Sequence, residues 1–219
     1  MKKFLFTVAI CVLTVLALSA CTPETDVLLD SVSYAEKQLY HGEIEGFAVE
    51  ITVGDTEDPR SCDGKVNELR PFVKISVIPL NAGVIIDTLT YSFGGTEGAL
   101  ERSPARYEYT ATLNTDSVST EIKLTLNGEE NVVALTDVTA GYIDWKEAVQ
   151  LAGNEFSAII EKETAEGVFM RETQVRIMRD TLGGKPFYYY VAMVAPDDDF
   201  PSAAALIDPT TKKVVAKRT

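Results

Sequence analysis

Phe47-Ala48-Val49-Glu50-Ile51-Thr52-Val53 is the stretch that decides the fold, because a large apolar side chain occupies every second position. Successive side chains of a β-strand point to opposite faces, so the large apolar residues of this stretch would share one face. Such a period is typical of a strand that is buried on one side. The stretch therefore predicts a β-sheet with one covered face.

The same period recurs along the following part of the chain. Strands are predicted over residues 72–78, 85–93, 105–113, 118–126 and 132–138. Asn127-Gly128 supplies the positive φ angles of a two-residue hairpin turn between the last two strands. Short strands, close turns and no intervening helix predict an antiparallel β-sandwich of immunoglobulin-like kind over residues 43–140, with a small barrel as the alternative.

The pattern changes at Asp144. Asp144-Trp145-Lys146-Glu147 has the form of a capping box, and apolar residues then recur at intervals of three and four, beginning with Trp145. This spacing predicts one helix over about 144–164, which Gly167 ends. We expect the Trp145 indole to cover the end of the sheet on which this helix packs. Strands are predicted over 168–180, 186–195, 203–207 and 214–217, so residues 143–219 read as an α+β unit with one helix on an antiparallel sheet.

Three stretches of this unit carry a family resemblance: Trp145-Lys146-Glu147-Ala148, Tyr189-Tyr190-Val191-Ala192, and residues 205–215, which would form the closing hairpin. With them the unit resembles the PepSY family of exported bacterial proteins, in which a helix is followed by a curled antiparallel set of hairpins. The family usually has a glycine in the last turn, where this chain has Lys212. The resemblance implies a binding or inhibitory role in the cell envelope and supplies no catalytic residues.

The N-terminus consists of Met1-Lys2-Lys3, an apolar run from Phe4 to Ala20, and Cys21 behind Leu18-Ser19-Ala20. It resembles a bacterial lipoprotein export signal. The resemblance implies that residues 1–20 are removed as a signal peptide and that Cys21 is lipidated. The apolar run is at the short limit for crossing a bilayer, about 17 residues, so an uncleaved transmembrane anchor and ordinary secretory cleavage are the alternatives.

This signal predicts the location of the protein. The acyl chains on Cys21 would hold it at the cell membrane on the extracytoplasmic face, or at the outer membrane if the host has two membranes. Residues 21–42 would form a tether that continues into a short helix, because Leu28, Val32, Ala35 and Leu39 are spaced three or four apart.

The net charge of the chain is −13. Residues 22–142 contain 8 basic and 21 acidic side chains, whereas residues 143–219 contain 10 and 12. Such an acidic chain excludes nucleic acid as a partner. Once residues 1–20 are removed, Cys62 is the only thiol besides Cys21, and the surrounding carboxylates disfavour its reactive thiolate form.

The candidate catalytic and metal-binding residues form no recognisable site. His41 is the single histidine, which excludes a metal site rich in imidazole, and we expect it to face solvent in a linker. Gly94-Gly95-Thr96-Glu97-Gly98 lacks the lysine of a phosphate-binding loop. Asp197-Asp198-Asp199 offers oxygen ligands for Ca²⁺ without the spacing of an EF-hand, so we interpret it as a solvated loop. No cofactor and no metal is predicted.

One arrangement of residues has two interpretations. Arg171, Arg176 and Arg179 lie on one predicted strand, and Tyr188 and Tyr190 share a face of the next strand with Tyr189 opposite. Arginine and tyrosine are enriched at binding hot spots. The interpretation we favour is structural: alternate tyrosines pack under the helix, and the arginines balance local acidic groups.

Together these patterns predict a non-enzymatic lipoprotein. We expect a binding or interaction module of the cell envelope, anchored in the membrane through Cys21, whose partner is a protein, a peptide or another envelope component. An inhibitor or assembly factor for a secreted enzyme is the alternative. A hydrolase whose catalytic residues are distant in sequence is the third hypothesis.

Overall fold

The computed structural model describes residues 24–59, 65–81, 83–180, 184–196, 201 and 203–219. The predicted export signal, the lipidation site Cys21, the thiol Cys62 and the loop Asp197–Asp199 lie outside the described residues. No helix in the described part of the chain has the length and apolar character needed to cross a membrane.

Within residues 24–142, the described part of the chain contains one short helix and ten strands. They are α1 (Glu24–Asp30), β1 (Val32–Ile44), β2 (Phe47–Glu57), β3 (Leu69–Pro79), β4 (Leu89–Phe93), β5 (Thr96–Ala99), β6 (Glu101–Arg102), β7 (Tyr109–Leu113), β8 (Glu121–Leu126), β9 (Glu129–Ala134) and β10 (Thr136–Asp137).

The second part contains two helices, a minor hairpin and four longer strands. They are α2 (Trp145–Glu155), α3 (Ser157–Glu163), β11 (Thr164–Ala165), β12 (Val168–Phe169), β13 (Glu172–Arg179), β14 (Phe187–Val194), β15 (Ala203–Asp208) and β16 (Lys213–Arg218).

One large sheet runs through both parts. Its strand order is β16-β15-β14-β13-β1-β2-β3-β7-β6, with β10 paired beside β1, and its neighbouring strands are antiparallel except for the parallel pair of β1 and β13. A four-stranded antiparallel sheet, β5-β4-β8-β9, shares a hydrophobic core with the β2 and β3 end of the large sheet. The predicted β-sandwich is therefore confirmed.

The sandwich is closed at both edges by chain segments that pass from one sheet to the other. Leu100 joins β5 to β6 and Leu135 joins β9 to β10, and both leucines are buried in the sandwich core. The turn at Asn127-Gly128 is confirmed, with φ angles of 49° and 89°. The strands predicted over 85–93 and 105–113 are shorter than expected, because residues 84–88 and 103–108 form loops.

The predicted α+β unit is also confirmed, since α2 packs against β14 and β15, and Ile160 of α3 and Val175 of β13 lie in the same core. Asp144 caps α2 as the capping box predicts, and its carboxylate accepts the Glu147 N–H at 2.8 Å. The predicted single helix is wrong in one respect: it breaks at Phe156, whose ring is buried in this core. Trp145 is only partly buried against the same core.

The short helix predicted within residues 21–42 is wrong beyond Asp30. From Val32 the chain forms the 13-residue strand β1, which pairs with β2 along most of its length. The pairing shifts register between Val32 and Tyr34 and between Glu36 and Gln38, so buried positions fall three or four residues apart and imitate a helix. Leu28 of α1 and Val32 lie in the core of the α+β unit.

Candidate functional site

The large sheet has two unlike faces. The covered face packs against the helices in one half of the sheet and against the four-stranded sheet in the other half. The opposite face, here called the open face, has no helix or second sheet packed on it among the described residues. Side chains on this face are therefore candidates for contact with a partner.

Strand pairing brings one row of side chains together on the open face. Arg176 of β13 is paired with Tyr190 of β14, which is paired in turn with Leu206 of β15. Met178 and Tyr188 form the next pair along the same two strands. Arg218 of β16 lies at the outer edge on the same side. We call these residues the tyrosine patch: Arg176, Met178, Tyr188, Tyr190, Leu206 and Arg218.

The three consecutive tyrosines of β14 divide between the two faces. Tyr189 is 1% exposed and its ring lies edge-on to Phe187, with centroids 5.1 Å apart. Tyr188 and Tyr190 are only partly buried on the open face. The interpretation that alternate tyrosines pack under the helix is thus wrong for Tyr188 and Tyr190, because the strand places their middle neighbour there instead.

Arg176 is held by a stack of rings that crosses the sheet. Its guanidinium carbon lies 5.3 Å from the ring centroid of Tyr34, and the Tyr34 ring stacks on Phe72 at 5.3 Å. Gly54 lies beneath Phe72: a Cβ at this position would be 2.7 Å from the Phe72 ring and 2.2 Å from the Ala35 carbonyl oxygen. The absence of a side chain at Gly54 therefore lets Phe72 reach Tyr34.

Glu36 joins the two halves of the sheet where β13 separates from β1. Its Oε2 accepts the Ile177 backbone N–H at 2.6 Å, and its Oε1 accepts the Tyr34 hydroxyl at 2.9 Å. The carboxylate thus takes the place of a backbone acceptor at the end of the parallel pairing. Burial raises the pKa of Glu36, while these hydrogen bonds and the charge of Arg176 oppose the rise.

A second carboxylate, Glu50, lies between Arg179 and His41. Its Oε1 is 3.3 Å from Arg179 Nε and 3.9 Å from His41 Nδ1, and burial raises its pKa. His41 is therefore not a solvent-facing linker residue: it belongs to β1, and its side chain is 23% exposed. Its other ring nitrogen lies 3.1 Å from Glu43, and no described hydroxyl or thiol hydrogen-bonds to the ring.

The expectation that the arginines balance acidic groups holds for two of them. Arg179 pairs with Glu50, and Arg171 pairs with Glu163, whose pKa is lowered by that hydrogen bond. Arg176 differs, because it forms no salt bridge with a described carboxylate and lies on the Tyr34 ring. Glu36 influences it only through longer-range attraction.

A cavity of about 450 Å³ lies at the start of α2. The Asp144 carboxylate already occupies the helix N-terminus, and Lys212 crosses to Glu147 at 2.9 Å. Lys212 has a φ of 57°, a left-handed conformation that glycine adopts most easily. No group of three or more His, Cys, Asp or Glu side chains suited to a metal ion occurs in the described part of the chain.

Comparisons with models of protein families, with curated proteins and with solved structures found no match to this chain. The fold defines the class of the protein as β-rich, with a sandwich and an α+β unit that share one sheet.

Proposed function

We propose that this protein is a non-enzymatic binding module of the cell envelope, lipid-anchored through Cys21 on the extracytoplasmic face of the membrane. We assign partner binding to the tyrosine patch. The single observation that carries this assignment is that aromatic and aliphatic side chains are partly exposed on an uncovered sheet face between two arginines. Tyrosine and arginine are the residues that most often dominate the energy of protein interfaces.

The geometry of the patch supports this role. Tyr188 and Tyr190 belong to β14, which is paired on both sides, so their backbone positions are fixed before a partner arrives. Met178 is 49% exposed beside them. A rigid surface loses little conformational entropy on binding, and this favours affinity.

The direction of the anchor also supports a partner outside the membrane. Cys21 precedes Glu24, the first residue of α1, by three positions, which an extended chain spans in about 10 Å. Leu28 of α1 is buried in the core on the covered side. The open face is therefore directed away from the side at which the chain would leave for the membrane.

The test is site-specific photo-cross-linking in cells that produce the native protein. A photoreactive phenylalanine analogue replaces Tyr190, and the matched control carries it at Val132, which is 58% exposed on β9. We expect a discrete adduct with another protein from position 190 and not from position 132. Identical adducts from both positions, or none from position 190, would contradict the assignment.

A separate measurement tests the anchor. Mass spectrometry of the native N-terminus should find a chain that begins at Cys21 with a diacylglyceryl group on its thiol. An unmodified Cys21, or a mature chain with another first residue, would exclude lipid anchoring at this position. This result is independent of the cross-linking result.

A further inference from the structure

We infer that the tyrosine patch binds an acidic segment of a partner protein, in which carboxylates flank aromatic or aliphatic side chains. This inference rests on the proposed function, because it specifies the chemistry of the partner at the same surface.

The charge of the patch is the first argument. Arg176 and Arg218 are exposed, and neither forms a salt bridge with a described carboxylate. Arg218 instead donates to the Pro201 carbonyl oxygen at 2.7 Å. The patch thus places two arginines without a described carboxylate partner on a chain of net charge −13, and such arginines attract carboxylates.

Among the described residues, two acidic groups beside the patch are already engaged. Asp208 is 3% exposed, is paired with Lys185, and accepts the Thr210 and Thr211 N–H groups. Glu36 is bonded to Tyr34 and Ile177. Asp208 thus has its own counter-ion in Lys185, and the Glu36 oxygens are occupied by donors within the chain.

The arrangement of apolar and charged groups is the second argument. Tyr190 and Leu206 lie on the two inner strands, β14 and β15, while Arg176 lies on β13 and Arg218 lies on β16, where it is paired with Ala204, two residues before Leu206. Protein interfaces have this anatomy, with an apolar centre that excludes water and a polar rim. A complementary segment therefore has apolar side chains in its centre and carboxylates on both sides.

Two other occupants fit less well. A second copy on a two-fold axis would bring like patches together, and the second patch offers two more arginines and no carboxylate of its own. A membrane surface would have to reach the face turned away from α1, against the repulsion between anionic lipids and the acidic first part of the chain. The edge of β16 is protected against strand addition by Lys213 and Lys217 and by the register shift beside Val215.

The inference can be tested by selecting random 12-residue peptides on phage against the chain from residue 21 onward carrying Cys21→Ser. The best selected peptide is then synthesised and titrated by fluorescence anisotropy. We expect selected sequences enriched in Asp and Glu together with Tyr, Phe, Leu or Ile. We also expect affinity to fall at least tenfold in Arg176→Glu and in Arg218→Glu, and to weaken as salt rises from 0.05 to 0.5 M.

Two controls separate the outcomes. Arg106→Glu changes the same charge in an exposed loop of the first part of the chain, and it should alter affinity less than twofold. Arg218 lies at the exposed edge of the sheet, away from the Tyr34 ring. The affinity of Arg218→Glu therefore tests the charge of the patch even if Arg176→Glu disturbs the stack on Tyr34.

Selection of basic or purely apolar peptides, failure to select any peptide, or equal binding by Arg218→Glu would overturn the inference. Concentration-dependent dimerisation that Arg218→Glu abolishes, or flotation with anionic vesicles, would also overturn it by assigning the patch to a second copy or to lipid. If position 190 gives a specific adduct and any of these results is also obtained, the inference that the bound segment is acidic is refuted, while the proposal that the patch binds a partner stands. Loss of that adduct refutes partner binding itself.

Discussion

The two faces of the large sheet use the same residue types for different purposes. On the covered face, Phe187, Tyr189 and Val191 are fully buried against the helices. On the open face, Tyr188 and Tyr190 alternate with them along the same strand and keep part of their rings in solvent. The difference teaches that the face of the sheet decides the role of a tyrosine in this protein. A tyrosine on the covered face stabilises the core, whereas a tyrosine on the open face can contact a partner.

The largest expected effect concerns the covered face. A fragment of residues 143–219 lacks Leu28 and Val32, which belong to its core, and it lacks β1, the parallel neighbour of β13. We expect this fragment not to unfold cooperatively in urea, whereas residues 24–219 should do so. A cooperative fragment with the midpoint of the longer chain would show that β1 is dispensable for this core.

The next effect tests the packing of the open face. Gly54→Ala places a Cβ 2.2 Å from a backbone oxygen that cannot move freely, so we expect a loss of about 1–3 kcal/mol in the free energy of unfolding. Gly98→Ala is the control, because the three atoms nearest to its Cβ, at 2.8 to 3.0 Å, all belong to the Tyr91 side chain and none to the backbone, so we expect a smaller loss. Equal losses in the two variants would refute the role given to Gly54.

A smaller effect is expected at the helix that covers the sheet. Asp144→Ala removes the acceptor for the Glu147 N–H and should cost about 1 kcal/mol in the free energy of unfolding. Asp144→Asn retains an oxygen acceptor and should cost less. If the two substitutions have the same effect, the cap does not stabilise α2 in this way.

The smallest effect is the pH dependence of the open face. Burial raises the pKa of Glu36 and Glu50 in the folded state, so the folded chain binds these protons more tightly than the unfolded chain does. Their contribution to stability should be fully present below their ordinary pKa of 4.5 and be lost as pH rises through the folded pKa values. Arg171 lowers the pKa of Glu163, so the contribution of Glu163 to stability is present above pH 4.5 and is lost as pH falls through its folded pKa.

Urea unfolding between pH 7 and pH 4.5 measures this dependence. Glu50→Gln cannot ionise, so its free energy of unfolding should increase less than that of the natural chain as pH falls across this range. If the free energy of unfolding changes with pH in Glu50→Gln as it does in the natural chain, Glu50 does not contribute to the pH dependence.

Much of the fold could be predicted from local patterns. The alternation in 47–53 and 72–78 lies within β2 and β3, and Asn127-Gly128 and Asp144 mark a turn and a helix start as predicted. These features depend on neighbouring residues alone, namely on side-chain period, positive φ angles and a local cap.

The rest could not be predicted, because it depends on contacts between distant parts of the chain. The register shifts in β1 imitate helical spacing, so the sequence gives no sign that Tyr34 lies on the open face beside Arg176. The hydrogen bond from Ile177 to Glu36 joins residues separated by 141 positions. The consecutive tyrosines of β14 carry no local sign of which face the helices cover.

One comparison tests the division of the sheet into two faces most directly: the free energies of unfolding of Tyr189→Ala and Tyr190→Ala, measured side by side in urea. Tyr189→Ala removes a buried ring and should cost about 3–5 kcal/mol, as large aromatic truncations in cores do. Tyr190→Ala should cost about 1 kcal/mol or less, because its ring already contacts solvent. Equal costs, or a larger cost at Tyr190, would contradict the account.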